Sequence, residues 1–217
     1  MIRLHHCAQA RSFRILWLLE EMGLKFELVP HSFFDKSLRA PEYLELSPAG
    51  RVPALEIDGI VMHESGAIAE YLCETRNRLG RFPGEDERAE WLEWLHFSET
   101  VGQHIAALTQ QHIVLREDWM RSPTVMQLEA KRLEKVLGVA DRALEGRNYL
   151  LASGFSAVDV TMGYGALIGR RFVRLDAMPN LTAWLARLEA RPGYQRALAR
   201  DGKAEIYIRD FYEVPDA

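Results

Sequence analysis

The pair Glu64-Ser65 is the clearest candidate in this sequence for binding a charged group. It stands directly before Ile68, Tyr71 and Leu72, whose apolar side chains have helical spacing, so the pair opens a predicted helix. The first turn of a helix presents free N–H donors, and a serine hydroxyl adds another, so such a position suits a carboxylate. The same pair can also be an ordinary helix start with a serine cap and a favourable acidic residue. The residues alone leave both interpretations open.

Thiol and metal chemistry have few candidates in this chain. The two cysteines, Cys7 and Cys73, are too few for a disulfide framework and lack the CxxC spacing of a zinc or dithiol site. His104 and His112 lie eight residues apart on a predicted helix, with no third ligand in view. We therefore predict no metal site and expect the cysteines to be reduced.

The composition narrows the class of protein. The chain has 217 residues, of which 48% are hydrophobic and 27% charged, with a net charge of −4. This balance is typical of a globular protein and argues against a general nucleic-acid binder. No run approaches the roughly 18 apolar residues of a membrane span, and residues 1–6 lack the pattern of a signal peptide. We therefore expect a cytoplasmic protein that binds neither nucleic acid nor membrane.

The spacing of apolar residues predicts a first part in which strands and helices alternate. A βαβ unit is followed by a ββα unit, with Asp58-Gly59 as a tight hairpin turn and Gly23 as the end of the first helix. The predicted elements are strands at 2–5, 26–29, 52–57 and 60–62, and helices beginning at Ser12 and near Glu64.

The second part has a different character. Beyond a charged segment at residues 77–86, strand patterns nearly vanish, and long apolar stripes at helical spacing predict a helical bundle. Ser156 and Asp159 form a capping box, each element of which is worth about 1 kcal/mol, so we interpret the pair as a folding device. We predict domains at 1–76 and 87–217, joined by the linker 77–86.

Four features, taken in order, resemble the cytosolic glutathione S-transferase family, and together they span nearly the whole chain. They are the opening βαβ unit with 11–21 as its first helix, the run 48–55, the pair Glu64-Ser65 and the capping box at Ser156. The first-helix sequence is similar to a bacterial and fungal branch in which this helix begins near Ser-Arg-Ser-x-Arg. The resemblance implies an α/β thioredoxin-like N-terminal domain that binds glutathione. An all-α helical-bundle C-terminal domain would contribute the electrophile pocket.

The resemblance also implies which residues bind glutathione. In the family the peptide bond that corresponds to Val52-Pro53 is cis, so that the backbone pairs with the cysteinyl part of glutathione like an added strand. Ser65 would hold the α-carboxylate of the γ-glutamyl group, and Glu64 would face its ammonium group. Arg51 would meet the glycyl carboxylate, unless it is an ordinary solvated residue.

The residue that activates the thiol departs from the family pattern. Alignment on the first helix places Gln9 where the family has a tyrosine or serine hydroxyl or a reactive cysteine. A free thiol is only about 3% ionised near pH 7, and an amide is a weaker donor to a thiolate than a charged group. Two neighbours are further catalytic candidates: Arg11 as a cation, and Ser12 as a hydroxyl that also suits an N-cap. Alternatively, a shift of two residues makes Cys7 the reactive group, which would form a mixed disulfide with glutathione.

We therefore predict an enzyme that conjugates glutathione, its co-substrate, to small apolar electrophiles, with a detoxification role, no metal and a homodimeric state. The electrophile pocket would be lined by the helix around Val101, His104 and Leu108. Two alternatives stay open. One is a glutathione-dependent disulfide or peroxide reductase, acting through Cys7 or without any protein hydroxyl, and the other is a binding protein that keeps the fold without the chemistry. Whether the aromatic residues beyond Lys203 cover the site is also left open.

Overall fold

The computed structural model describes residues 1–215, which form two compact units. The first unit contains Met1–Phe82 together with Glu189–Tyr207, and the second contains Pro83–Leu188 and the residues from Ile208 onward. The chain thus leaves the first unit, builds the second, and returns to the first before its end. Within the described residues, no helix is both long and apolar enough to cross a membrane.

In the part of the chain that the structure describes, a mixed sheet of four strands forms the centre of the first unit. The strands are β1 (Arg3–Cys7), β2 (Glu27–His31), β3 (Ala54–Ile57) and β4 (Ile60–His63). Their order in the sheet is β2-β1-β3-β4, with β1 parallel to β2 and antiparallel to β3. β3 and β4 form the predicted hairpin around Asp58-Gly59.

The strand register brings three chain segments together at one end of this sheet. His5 of β1 pairs with Ala54 of β3, and Ala54 in turn pairs with His63 of β4. The segments that follow β1, precede β3 and follow β4 are therefore neighbours. All the residues predicted to bind glutathione or activate its thiol lie in these segments.

Helices complete the first unit, and one of them comes from the far end of the chain. They are α1 (Ser12–Met22), α2 (Pro41–Leu46), α3 (Ser65–Arg76) and α8 (Pro192–Asp201). Helix α1 is buried on nearly all sides, because β1, α3 and α8 all pack against it. The rings of Trp17 and Tyr194 meet edge-on with centroids 5.0 Å apart, and Glu21 accepts two hydrogen bonds of 2.8 Å from Arg191. Gly23, with φ 63°, takes the left-handed conformation that ends α1.

The predicted domain boundaries follow chain order, whereas the compact units do not. The units divide between Phe82 and Pro83, within the predicted linker 77–86, and α8 belongs to the first unit. The partner of Arg191 on α1 lies 170 residues earlier in the chain, a distance over which periodicity carries no information. The boundaries 1–76, 77–86 and 87–217 stay a prediction.

The second unit is helical, so the predicted combination of a thioredoxin-like sheet and a mostly helical second part is confirmed. Its elements are α4 (Arg88–Thr109), a π-helical turn (Gln110–Val114), a 3₁₀ turn (Asp118–Met120), α5 (Pro123–Ala143), α6 (Ala157–Gly169) and α7 (Pro179–Glu189). The predicted capping box starts α6. Asp159 is fully buried and accepts hydrogen bonds from the Ser156 and Leu150 amides and from the Trp184 indole, at 2.9–3.0 Å. The Asp159 carboxylate therefore connects the start of α6, the segment before it and α7.

Candidate active site

The loop before β3 is built around a cis peptide bond between Val52 and Pro53, as expected. The carbonyl of Arg51 accepts hydrogen bonds from the hydroxyls of Tyr43, at 2.7 Å, and Ser47, at 2.8 Å. Burial raises the pKa of Tyr43 to about 12, so this hydroxyl keeps its proton and remains a donor. The side chain of Arg51 is exposed. The loop therefore has a fixed backbone and presents a cation to solvent.

Helix α3 begins at Ser65 with an open first turn. Glu64, at the N-cap, has φ 75° and an exposed side chain that makes no capping hydrogen bond. The first hydrogen bond of the helix joins the Ile68 amide to the Glu64 carbonyl, so the preceding amides have no partner within the helix. A Cβ placed on Gly66 meets no described atom within 4 Å. This turn therefore has the donors and the free space that a carboxylate requires.

The Ser65 side chain is not exposed like Glu64; it faces α1. It is 4% exposed, and its Oγ accepts a hydrogen bond of 3.2 Å from Nη1 of Arg14. Arg14 is itself fully buried. Sequence reasoning missed this residue, although a charged side chain between Phe13 and Ile15, in the apolar run that precedes Glu20, is an available signal.

The Gln9 side chain is bound to the segment that follows α8. Its Oε1 accepts hydrogen bonds from the amides of Ile206 and Tyr207, both at 3.0 Å, and its Nε2 donates to the Tyr207 carbonyl at 3.2 Å. The Gln9 backbone, with φ 61°, donates its own N–H to the Asp201 carboxylate at 3.2 Å. Gln9 therefore anchors this segment to the turn between β1 and α1.

Ser12 is fully buried in a polar network beneath the same turn. Its Oγ lies 2.8 Å from Nδ1 of His6, whose Nε2 lies 3.0 Å from the Asp201 carbonyl. Because a carbonyl only accepts, Nε2 of His6 carries a proton. The Ser12 hydroxyl lies between Nδ1 of His6 and the Cys7 carbonyl, which is 3.3 Å from its Oγ. The same Oγ is 3.3 Å from the Cys7 amide. Ser12 is the first residue of α1 rather than its N-cap, which is Arg11, a half-buried residue.

The two cysteines are buried and free. Burial, together with the carboxylates of Asp35 and Glu205, raises the pKa of the Cys7 thiol to about 12. A reactive cysteine requires the opposite, a lowered pKa and an accessible sulfur, so this environment argues against the Cys7 alternative. Among residues 1–215, no group of three histidine, cysteine or acidic side chains has an arrangement that could hold a metal ion.

The residues proposed for the electrophile pocket lie in the second unit, mostly within its core. Val101 and Leu108 are fully buried on α4. His104 is paired instead, with its Nδ1 2.7 Å from the Glu129 carboxylate on α5. That carboxylate also accepts a hydrogen bond of 2.6 Å from Arg132. The structure therefore places two of these side chains in helix packing and the third in a polar pair between helices.

The aromatic residues near the end of the chain are packed rather than free. Tyr207 is 7% exposed and belongs to the first unit. In the second unit, the Tyr212 amide donates to the Arg171 carbonyl at 2.7 Å, and its ring stacks on Phe172 with centroids 5.3 Å apart. The guanidinium of Arg174 lies 3.7 Å from the centre of the Phe211 ring. These contacts are made with residues far away in sequence, which explains why the sequence alone did not predict where the aromatic residues beyond Lys203 lie.

The sequence of this chain is similar to that of proteins from one known family. Residues 1–74 match the family model described as glutathione S-transferase, N-terminal domain. A glutathione S-transferase of Silene vulgaris is 30% identical over 204 residues, covering 88% of this chain and 93% of that protein. Glutathione S-transferase 3 of Schizosaccharomyces pombe is 28% identical over 206 residues, covering 88% and 84% respectively.

Solved structures extend the likeness over most of the chain. A glutathione S-transferase from Xylella fastidiosa superposes with a TM-score of 0.80 at 28% identity, covering 93% of this chain and 98% of that one. A glutathione transferase from Pseudomonas putida, which has one glutathione disulfide bound per subunit, gives a TM-score of 0.82 at 25% identity, with coverage of 93% and 92%.

Proposed function

The chain belongs to the glutathione S-transferase family and is a transferase enzyme, and we propose that it joins the thiol of glutathione to apolar electrophiles. One observation carries this proposal: the cis-proline loop and the open first turn of α3 meet at one end of the sheet. The loop offers a backbone for strand-like pairing, and the helix start suits a carboxylate. Glutathione fits both parts of this site, because it has a peptide backbone that can pair with the loop and charged ends, one of which carries a carboxylate for the helix start.

Each end of the tripeptide has a candidate partner. We assign the α-carboxylate of the γ-glutamyl group to Ser65 and the open amides of α3, and the neighbouring ammonium to the exposed carboxylate of Glu64. The cysteinyl part would pair with the backbone of Val52, before cis Pro53. The exposed Arg51 would meet the glycyl carboxylate. The sulfur then lies toward the segment that follows β1.

Activation of the thiol is assigned to the start of α1. Lowering a thiol pKa by two units requires about 2.7 kcal/mol of preferential stabilisation of the thiolate, more than one neutral donor provides. The amides at the start of α1 supply a favourable dipole whatever the side chains are, and Arg11 at the N-cap adds a cation. Gln9 and Ser12 support this turn through their contacts with residues 206–207 and His6.

A second candidate is glutathione-dependent reduction of disulfides. It is favoured by the glutathione disulfide bound to the Pseudomonas putida relative and by an amide, Gln9, at the position expected to carry a hydroxyl. In this reaction a glutathione thiolate attacks a mixed disulfide of glutathione, which releases the substrate thiol and forms glutathione disulfide. The raised pKa of Cys7 favours a route in which no protein cysteine takes part.

We extend the proposal to the setting in which the enzyme works. As in the family it resembles, it would act as a cytoplasmic homodimer, and conjugation of apolar electrophiles would give it a detoxifying role. Glutathione would be its co-substrate, without a metal. Its mass in solution tests the dimer.

Calorimetric titration with glutathione tests the binding assignment directly. We expect Ser65→Ala and Arg51→Ala each to weaken glutathione binding about tenfold, because each removes a hydrogen bond to a charged group. Lys25→Ala is the matched control: it removes an exposed cation next to β2, whose start lies at the opposite end of the sheet. Equal affinities for all four proteins would refute the assignment.

Rate measurements separate the two candidate reactions. Conjugation is followed with chlorodinitrobenzene, and disulfide reduction with a mixed disulfide of glutathione and hydroxyethanethiol. Conjugation that exceeds the uncatalysed rate and falls in Arg11→Ala supports the proposed function. Disulfide reduction alone, unchanged in Cys7→Ser, supports the second candidate. Glutathione binding without either activity would leave a binding protein.

A further inference from the structure

Arg14 is the least expected charged side chain in the first unit. It lies on α1 with 0% of its surface exposed, although arginine is almost never fully buried unless it is paired. A guanidinium cannot lose its charge in a protein, so a permanent positive charge lies inside this unit. Its Nη1 reaches across to α3 and donates to Ser65 Oγ at 3.2 Å.

This contact determines what the Ser65 hydroxyl can do. Because Arg14 donates to Oγ, one lone pair of that oxygen is occupied, and the hydroxyl proton remains available to donate to another group. Ser65 is also the first residue of α3, where the free amides of the helix carry partial positive charge. A buried cation, a helix N-terminus and a hydroxyl donor therefore act at the same place.

We infer that Arg14 is a positioning residue for the carboxylate that Ser65 and the start of α3 bind. Arg14 fixes the Ser65 oxygen so that its proton points to the ligand, and its charge favours an anion there. The inference rests on the proposed function, in which this anion is the α-carboxylate of the γ-glutamyl group. The inference adds Arg14 to the proposed binding site as a residue that acts on the ligand through the side chain of Ser65.

The test uses a change in the ligand as well as in the protein. Glutathione and γ-aminobutyryl-cysteinylglycine, which lacks only the α-carboxylate, are titrated into the native enzyme and into Arg14→Met. We expect the native enzyme to prefer glutathione, and Arg14→Met to reduce the ratio of the two affinities about tenfold, as for loss of one hydrogen bond to a charged group. A purely structural role would weaken both ligands equally and leave the ratio unchanged.

Two further variants distinguish a loss of ligand preference from a loss of folding. Ile15→Ala removes a fully buried neighbour on α1 and should loosen the helix without changing the ratio. Arg14→Lys keeps a cation but not the planar fork of the guanidinium, and we expect the ratio to fall at least about threefold, a smaller loss than in Arg14→Met. If Arg14→Met does not fold, the ratio of the two affinities in Arg14→Lys tests the inference, and a native ratio in that variant overturns it.

The outcomes separate this inference from the proposed function. If the native enzyme does not bind glutathione, the proposed function fails and the inference fails with it. If the native enzyme binds glutathione and prefers it to the analogue, while folded Arg14 variants keep the native ratio, only the inference is overturned. A native enzyme that binds both ligands equally would also overturn it, because no carboxylate would then be recognised.

Discussion

Replacing Gln9 with alanine should release the chain segment that follows α8. The change removes two hydrogen bonds that Oε1 accepts from the amides of Ile206 and Tyr207, and one that Nε2 donates to the Tyr207 carbonyl. Each is worth about 1 kcal/mol net, so about 3 kcal/mol is the upper limit. Because Gln9 is only half-buried, water replaces part of this, and we expect about 1–3 kcal/mol.

Amide hydrogen exchange measures this loss at the atoms concerned. A destabilisation of about 1–3 kcal/mol corresponds to about 5-fold to 150-fold faster exchange at the amides of Ile206 and Tyr207. The β1–β3 ladder gives an internal reference that should not change. Gln127→Ala is the matched control, since it removes a glutamine that donates a single hydrogen bond to Pro215 in the other unit.

The same variant separates an anchoring residue from a donor to the thiolate. If Gln9 acts on the thiolate, Gln9→Ala should lower kcat while exchange at residues 206–207 stays as in the native protein. Native exchange rates at these two amides would therefore refute the anchoring role. Faster exchange with little change in kcat at saturating glutathione would support it.

Three further predictions concern Asp159, Cys7 and His112. Asp159→Ala should lower the free energy of unfolding of the protein by about 3–5 kcal/mol, because two amides and the Trp184 indole lose a buried charged acceptor. A loss under about 1 kcal/mol in urea titrations would contradict this. Iodoacetamide should label Cys7, whose pKa is raised to about 12, only after unfolding, so rapid labelling of the native enzyme near neutral pH would be inconsistent with the structure. Burial and two nearby arginines lower the pKa of His112 from 6.5 to about 4. Between pH 6.5 and pH 4 the unfolded chain therefore binds a proton that the native protein does not. The free energy of unfolding should fall as the pH drops through this range. The fall should be shallower in His112→Leu, and equal slopes for the two proteins would count against a neutral His112 in the native protein.

Local sequence was enough to predict the elements that carry the candidate site. The hairpin around Asp58-Gly59, the end of α1 at Gly23 and the capping box at Ser156 are each specified by residues within a few positions of one another. The cis bond before Pro53 needed the family resemblance, since its local sequence favours trans.

Long-range contacts explain what the sequence could not specify. The pattern around Ser12 suits an N-cap, but the structure buries this hydroxyl against His6. The partners of Gln9 lie 197 and 198 residues away, and no local signal marks them. Arg14 meets Ser65 across 51 residues, so only a folded chain reveals why α1 carries a charge on its buried side.

The return of α8 to α1 has a consequence for how this protein is made. While the ribosome is still synthesising the middle of the chain, α1 has emerged without the helix that will bury Trp17. Glu20 and Glu21 likewise lack their arginine partners, which lie in α8 and at its N-cap. Helix α1 therefore stays incompletely covered until α8 has been synthesised, and a nascent chain arrested before α8 would offer an apolar surface to chaperones.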